Sequence, residues 1–181
     1  MGAMTATMTR QALAKRIGDV AVLRGEFKLR SGRKSDYYID KYLFTTQPDI
    51  LAELGKMLAE RVPSGTTRLA GAELGGIPLV SAASMASGLP CVFVRNAKKD
   101  YGTAKQLEGE LQAGDTVVIL EDVATTGGQA IEAAKIITNA GAEIVKIIAT
   151  IDREEGAREN IEGAGYVFEA LFTVGDLGIE R

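Results

Sequence analysis

Apolar positions along the chain follow two periods that exchange places. Between Arg10 and Leu23, Leu13, Ile17 and Val20 or Val22 recur at near-helical spacing, with Thr9 placed to cap the segment and Gly25 to stop it. Glu26-Phe27-Lys28-Leu29 then alternates, Arg30-Ser31-Gly32-Arg33-Lys34-Ser35 is a basic turn, and Tyr37-Tyr38-Ile39-Asp40 follows; the two short strands predict a hairpin. Pro48 opens a second helix to about Arg61, with Ile50, Leu51, Leu54, Met57 and Leu58 on one face.

Beyond residue 61 the rhythm becomes strand, helix, strand. Arg68 to Gly71, Cys91 to Val94, Val117 to Leu120, Ile144 to Ile151 and Tyr166 to Phe172 read as strands. Between them, Gly76 to Gly88, Gly127 to Ala140 and residues 154–163 read as helices. Apolar strands alternating with helices predict an α/β fold with a central, mainly parallel sheet flanked by helices. The division expected is an N-terminal helix, hairpin and helix over 9–61 and a core over 62–181, whose C-terminal end returns to pack on the N-terminal elements. Arg95 to Gly109 interrupts the rhythm with charges, amides and glycines, and a loop of that length in a compact domain usually carries function.

Composition narrows the chemistry by what is missing. The 181 residues include no His, no Trp and one Cys, Cys91. Imidazole-based nucleophile activation, a thiolate zinc cluster and an intrachain disulfide are all excluded. Acids and bases must be carboxyls, Lys, Tyr or water, and a metal must be a hard cation held by oxygens. A net charge of −3 speaks against nucleic acid and anionic membrane as partners. The N-terminal residues lack a basic region followed by an apolar stretch, and the apolar runs fall well short of a membrane span, so a cytoplasmic location is expected.

The most informative segment is Val117-Val118-Ile119-Leu120-Glu121-Asp122-Val123-Ala124-Thr125-Thr126-Gly127-Gly128-Gln129. In an open parallel sheet, ligands gather beyond the carboxyl ends of strands, where Glu121 and Asp122 fall. Adjacent carboxylates accept hydrogen bonds from vicinal hydroxyls. The glycines let backbone approach an anion, Thr hydroxyls donate to it, and a helix N-terminus favours negative charge. Acids for a sugar beside a cradle for a phosphate describe a ribose 5-phosphate site; the plainer alternative is that Thr125 or Thr126 caps the helix and the acids are solvated.

This ordered stretch resembles the fingerprint of the type I phosphoribosyltransferases, and the resemblance runs through the chain after its first eight residues. It implies the type I phosphoribosyltransferase fold with a small N-terminal hood. It also implies that Glu121 and Asp122 hold the ribose hydroxyls while Thr125, Thr126, Gly127, Gly128 and Gln129 hold the 5-phosphate. Phe27 to Asp40 resembles the hairpin of the orotate-using members, which covers the base, and Asp152-Arg153 resembles their Asp-Arg pair. On that likeness Arg153, Arg30, Tyr37, Tyr38 and Thr125 are candidate orotate contacts, and a guanidinium suits the carboxylate of orotate.

Glu73-Leu74-Gly75-Gly76-Ile77-Pro78 is similar to the family's diphosphate loop, so Gly75 and Gly76 are candidate diphosphate contacts. Val94 to Thr103 is similar to its catalytic loop, which brings Arg95, Lys98, Lys99 and Tyr101 to the diphosphate. Two departures stand out: Asn96 replaces a common Lys, and Gly75 stands where some bacterial members carry another Lys. By resemblance Arg95, Lys99, Glu121 and Asp122 are the catalytic candidates, and the partner expected is a second copy whose catalytic loop reaches the neighbouring site.

The function implied is Mg2+-dependent transfer of ribose 5-phosphate from 5-phosphoribosyl 1-diphosphate to orotate, in pyrimidine (UMP) biosynthesis. Mg2+ would be held mainly through substrate and water near Asp122, without a dedicated set of protein ligands. The alternatives are a regulator that keeps the pocket as a sensor, for which this acidic chain offers no DNA-reading element, and a transferase for another base. Lys99 is the candidate for electrostatic or proton help to the departing diphosphate. Lys99→Ala is therefore expected to depress kcat far more than substrate binding, and an unchanged kcat in steady-state kinetics would remove Lys99 from that role.

Overall fold

A computed structural model of the chain describes residues 8–28, 32, 34–96 and 106–180. Thr9 caps the first helix, α1 (Arg10–Ala21), by accepting a 3.2 Å hydrogen bond from the Ala12 amide. The helix ends earlier than its apolar period suggests, because Val22 already pairs with Ile39 in a hairpin of β1 (Val22–Lys28) and β2 (Lys34–Ile39). The pairing register shifts between Arg24, opposite Tyr37, and Phe27, opposite Ser35, so the strand is irregular where Gly25 falls. A short helix not anticipated from the pattern follows, α2 (Lys41–Thr45), whose Tyr42 amide is capped by Asp40 at 3.0 Å. Pro48 opens α3 (Pro48–Ala59), and Ile50, Leu54 and Leu58 are fully buried along its inner face. Each such side chain contributes about 1.5–3 kcal/mol by leaving water.

The core is a six-stranded sheet built from β3 (Arg68–Ala72), β4 (Cys91–Val94), β5 (Leu107–Glu108), β6 (Thr116–Ala124), β7 (Glu143–Asp152) and β8 (Phe168–Thr173). Its order is β5-β4-β3-β6-β7-β8, all parallel except the short edge strand β5. Strand β5 lies inside the segment expected to be a loop, and two residues are too few to show a period.

Helices α4 (Gly76–Ser87), α5 (Gly128–Asn139) and α6 (Ala157–Gly163) link the parallel strands. One apolar layer joins Leu13, Ile17, Ile50 and Leu54 to Leu79, Val118, Ile148 and Phe172. A second joins Ala70, Ile119 and Ile147 to Ala130, Ile137 and Ile161. Burial on both faces explains the near-continuous apolar runs of the central strands. The C-terminal 3-10 turn Gly175–Leu177 meets α1, where Arg10 pairs with Asp176 at 2.8 Å.

Strand β6 is longer than anticipated. Glu121 and Asp122 belong to it, and pairing with β7 continues to Val123 with Ile151 and Ala124 with Asp152. The acids are poor strand formers, yet the neighbouring ladder satisfies their backbone. The chain leaves β3 toward β4 on one side and β6 toward β7 on the other, so β3 and β6 flank the switch point of the sheet. No helix of the described residues is long and apolar enough to cross a membrane.

The approach of α4 to β3 depends on Gly71, where an added Cβ would lie 2.6 Å from the Gly76 carbonyl oxygen and 2.7 Å from Val80 Cγ1. Gly71→Ala is expected to cost about 1–3 kcal/mol through overpacking, more than the stiffer backbone returns. Urea unfolding would show this as a lowered midpoint with an unchanged slope.

Candidate active site

The carboxyl ends of β3 and β6 hold the acid pair. Glu121 is 5% exposed and Asp122 2%. Among the described residues, Glu121 Oε2 accepts no hydrogen bond, and Asp122 Oδ2 has an ion pair with Lys41 Nζ at 2.8 Å but no well-aligned hydrogen bond. Buried carboxylate oxygens are ordinarily satisfied, so these acceptors point to hydroxyls or water brought by a ligand. Burial, reinforced by the charge of Asp122, pushes the Glu121 carboxyl well above its usual range. For Lys41, burial pulls the ammonium down, but contact with Asp122 and its charge outweigh this and hold it above the ordinary value.

Gly75 is a steric condition for this arrangement. A Cβ there would fall 1.6 Å from Asp122 Oδ2 and 3.0 Å from Lys41 Cδ. The acid of β6 thus occupies the space a side chain at 75 would need. Residues 73–75 turn into α4, and no side chain caps that helix; the Ile77 amide donates to the Leu74 carbonyl at 3.2 Å and Pro78 has no N–H, so the Gly76 amide is the first-turn donor left near the acids.

The turn after β6 has the same character. Gly127 adopts φ +76°, and a Cβ on it would meet Ile161 Cγ1 at 2.7 Å, so backbone conformation and the closeness of α6 both require glycine. Neither Thr125 nor Thr126 caps α5, and the helix has no side-chain cap at all. The amides of Gly128 and Gln129 at its first turn, with the dipole behind them, form an anion cradle. Asn160 fixes the outer side of the turn by donating to the Thr126 carbonyl at 2.9 Å.

The Gln129 side chain is directed elsewhere: its amide donates to the Glu73 carbonyl at 2.9 Å. Asn96 joins the same point, its backbone N–H donating to Glu73 Oε1 at 2.8 Å and its side chain to the Glu73 carbonyl at 3.2 Å. Gln129 and Asn96 therefore tie the start of α5 and the end of β4 to residue 73. Arg95 lies beside this junction with its guanidinium 3.5 Å from Glu108, while its Nε is buried without a hydrogen-bond partner among the described residues.

Arg153 follows β7, and its amide donates to the Ala124 carbonyl at 2.9 Å, which places it against the turn after β6. It is 5% exposed, pairs with Glu155 at 2.9 Å, and lies 4.8 Å over the ring of Tyr37. This contact brings the hairpin over the sheet end. Successive strand side chains alternate, so Tyr38 points away, 42% exposed and 5.7 Å from the Phe27 ring. Glu121, Asp122, Thr125 to Gly128, Gly75, Gly76, Arg153 and Tyr37 converge on one end of the sheet. Arg30, Lys98, Lys99 and Tyr101 lie outside the described residues. Lys41, Glu155 and Asn160 were not singled out from the sequence, each a lone polar residue whose partner is distant or local in a way no motif marks, and Glu73 was quoted in its loop without a role of its own.

No cluster of three or more Asp, Glu, His or Cys side chains able to hold a metal forms among the described residues. The acid pair nonetheless offers the oxygen chemistry that suits a hydrated hard cation carried in by a phosphate ligand.

A buried pair of acids, two uncapped helix starts and the switch point between β3 and β6 define a protein that handles a phosphorylated sugar. The chain belongs to the phosphoribosyltransferase family: residues 43–175 match the family described as "Phosphoribosyl transferase domain". Its relatives include the orotate phosphoribosyltransferase of Natronomonas pharaonis, 45% identical over 175 residues that cover 96% of this chain and 100% of the relative. Among solved structures, the orotate phosphoribosyltransferase of Mycobacterium tuberculosis H37Rv aligns in its complex with Fe(III) dicitrate at a TM-score of 0.83. Its complex with 5-phospho-alpha-D-ribosyl 1-diphosphate aligns at 0.78; in both, identity is 30% and coverage is 94% of this chain and 99% of the other. The architecture is the type I phosphoribosyltransferase fold, as the strand-acid-turn segment implied.

The raised Glu121 pKa carries a testable sign. The folded state holds the proton more tightly than the unfolded chain, so this contribution to stability is complete below about pH 4.3 and declines as pH rises toward the folded value. Glu121→Gln is expected to gain stability over the wild type as pH increases. Urea unfolding of both proteins at pH 5 and pH 8 checks this, and a gap that does not widen would contradict it.

Proposed function

We propose that the chain is an orotate phosphoribosyltransferase, joining orotate to the ribose 5-phosphate of 5-phosphoribosyl 1-diphosphate to give orotidine 5-phosphate and diphosphate in pyrimidine biosynthesis. The observation that carries this reading is the buried, incompletely hydrogen-bonded acid pair beside the uncapped start of α5, within a chain whose full-length relatives bear that name.

Glu121 and Asp122 accept from the ribose hydroxyls, and the Thr125 to Gly128 turn receives the 5-phosphate. The diphosphate lies toward Gly75 and Gly76, with Arg95, Lys98, Lys99 and Tyr101 supplying charge and hydrogen bonds. Orotate lies between the hairpin and Arg153. Tyr37 steadies that guanidinium through its ring, and Glu155 holds one edge of it. In the reaction the bond from ribose C1 to the diphosphate oxygen breaks, its electron pair leaving with diphosphate. The orotate ring nitrogen, already deprotonated, forms the new bond to C1.

Positive charge develops on the sugar as this happens, and the neighbouring acids stabilise it. Bound Mg2+ would neutralise the diphosphate, held through substrate and water near Asp122. A homodimer in which the catalytic loop serves the neighbouring site, working in the reducing cytoplasm that a single unpaired Cys suits, completes the reading.

Mixing the protein with Mg2+, orotate and 5-phosphoribosyl 1-diphosphate is expected to change the ultraviolet absorbance of orotate. Adenine, hypoxanthine and uracil should give no product. Consumption of one of these bases, with orotate untouched, would overturn the choice of base.

A further inference from the structure

Lys41 opens α2 directly after the hairpin, and its side chain crosses Gly75 to place Nζ 2.8 Å from Asp122 Oδ2. We propose that Lys41 is a donor-binding residue, whose ammonium bridges the ribose acid Asp122 to the diphosphate of 5-phosphoribosyl 1-diphosphate. The inference rests on the transferase reading above, and it assigns a residue outside every motif of the sequence.

Three observations converge on it. The turn where the diphosphate lies, Glu73-Leu74-Gly75-Gly76, contributes backbone amides and an acid but no cation. A leaving diphosphate needs positive charge close to its oxygens, and backbone amides alone supply only partial charge. Among the described residues Lys41 crosses this turn at Gly75, which has no side chain: the space a Cβ would fill there is shared by the Asp122 carboxylate and the Lys41 stem.

The ammonium also has capacity to spare. It carries three donors, of which one faces Asp122, and its side chain stays 28% exposed beside a carboxyl that is 2% exposed. The other neighbouring groups are the Glu121 carboxyl and the Tyr42 ring, 5.7 Å from Nζ, and neither makes a hydrogen bond with it. An anion can therefore dock on Lys41 without stripping Asp122 of its counter-ion. The same ammonium then spans the two ends of the bond that breaks, the ribose at Asp122 and the diphosphate at Gly75. Since Lys41 belongs to the segment that carries the hairpin, donor binding would also fix the cover over the base.

Titration calorimetry on the full chain with Mg2+ separates the possibilities, using 5-phosphoribosyl 1-diphosphate and ribose 5-phosphate as probes with the wild type, Lys41→Met and Lys41→Arg. Lys41→Met is expected to weaken the diphosphate-bearing probe by about ten-fold or more, the size of one lost charge-assisted hydrogen bond. Ribose 5-phosphate should bind it nearly as before, and Lys41→Arg should restore most of the affinity for the diphosphate probe. In steady-state kinetics KM for the donor should rise with that for orotate little changed.

Equal weakening of both probes by Lys41→Met, or an Arg variant as impaired as the Met variant, would show a structural role and overturn the proposal. So would unchanged donor affinity in Lys41→Met. A wild type that binds the donor with these Lys41 effects but leaves orotate untouched would refute the base assignment alone, leaving the role of Lys41 standing.

Discussion

The carboxylate of Asp122, buried over Gly75 and paired with Lys41, is the contact on which the rest of the site depends. A carboxylate shielded this fully from water needs a cation and hydrogen-bond donors to remain charged. That requirement shapes three segments at once. Residue 75 has to lack a side chain, α2 has to begin where its first lysine reaches the sheet, and β6 has to carry its acids within the ladder. Glu121, buried next to the same charge, is driven toward its neutral form.

The sheet supplies the place for this contact. Where β3 and β6 part company, their following helices lie on opposite faces, and both start without a side-chain cap at the end where the acids emerge. Uncapped helix starts ordinarily forgo a stabilising hydrogen bond of about 0.5–2 kcal/mol. Here they leave backbone donors on either side of the acids. Small residues bring these parts close: Gly71 admits α4 to β3, and Gly127 admits α6 to the turn after β6. Polar side chains then lock the loops together, since Asn96 and Gln129 both donate to Glu73. The Asn at position 96, a departure from the family's common Lys, thus has a use of its own as a tie between the end of β4 and the turn at Glu73.

Among the described residues the hairpin meets the rest of the molecule through buried Ile39, through Arg24 donating to the Gly178 carbonyl at 3.0 Å, and through a stacked cation. Arg153 lies over Tyr37 and leans on Glu155, so a residue at the end of β7 supports the cover above it. A guanidinium fixed by a ring and a carboxylate has little rotamer freedom left to lose.

Local pattern alone determined much of this protein. Alternating apolar strands and helices implied the parallel α/β sheet, Thr9 and Pro48 marked two helix starts, and Val117 to Gln129 carried acids, hydroxyls and glycines in an order that names a sugar phosphate. These features are legible because their causes are local: periodicity, capping and turn chemistry act within a few residues. The extension of β6 through its acids was hidden, since pairing with β7 overrides the weak strand preference of Glu and Asp. Helix α2 and strand β5 were hidden by their shortness. Which of Tyr37 and Tyr38 meets Arg153 followed from the hairpin's register, and the pairing of Lys41 with Asp122 followed from how α2 docks against the sheet. Tertiary structure decided those points because a contact between distant residues depends on the path of everything between them, and no local preference of a lone Lys encodes it.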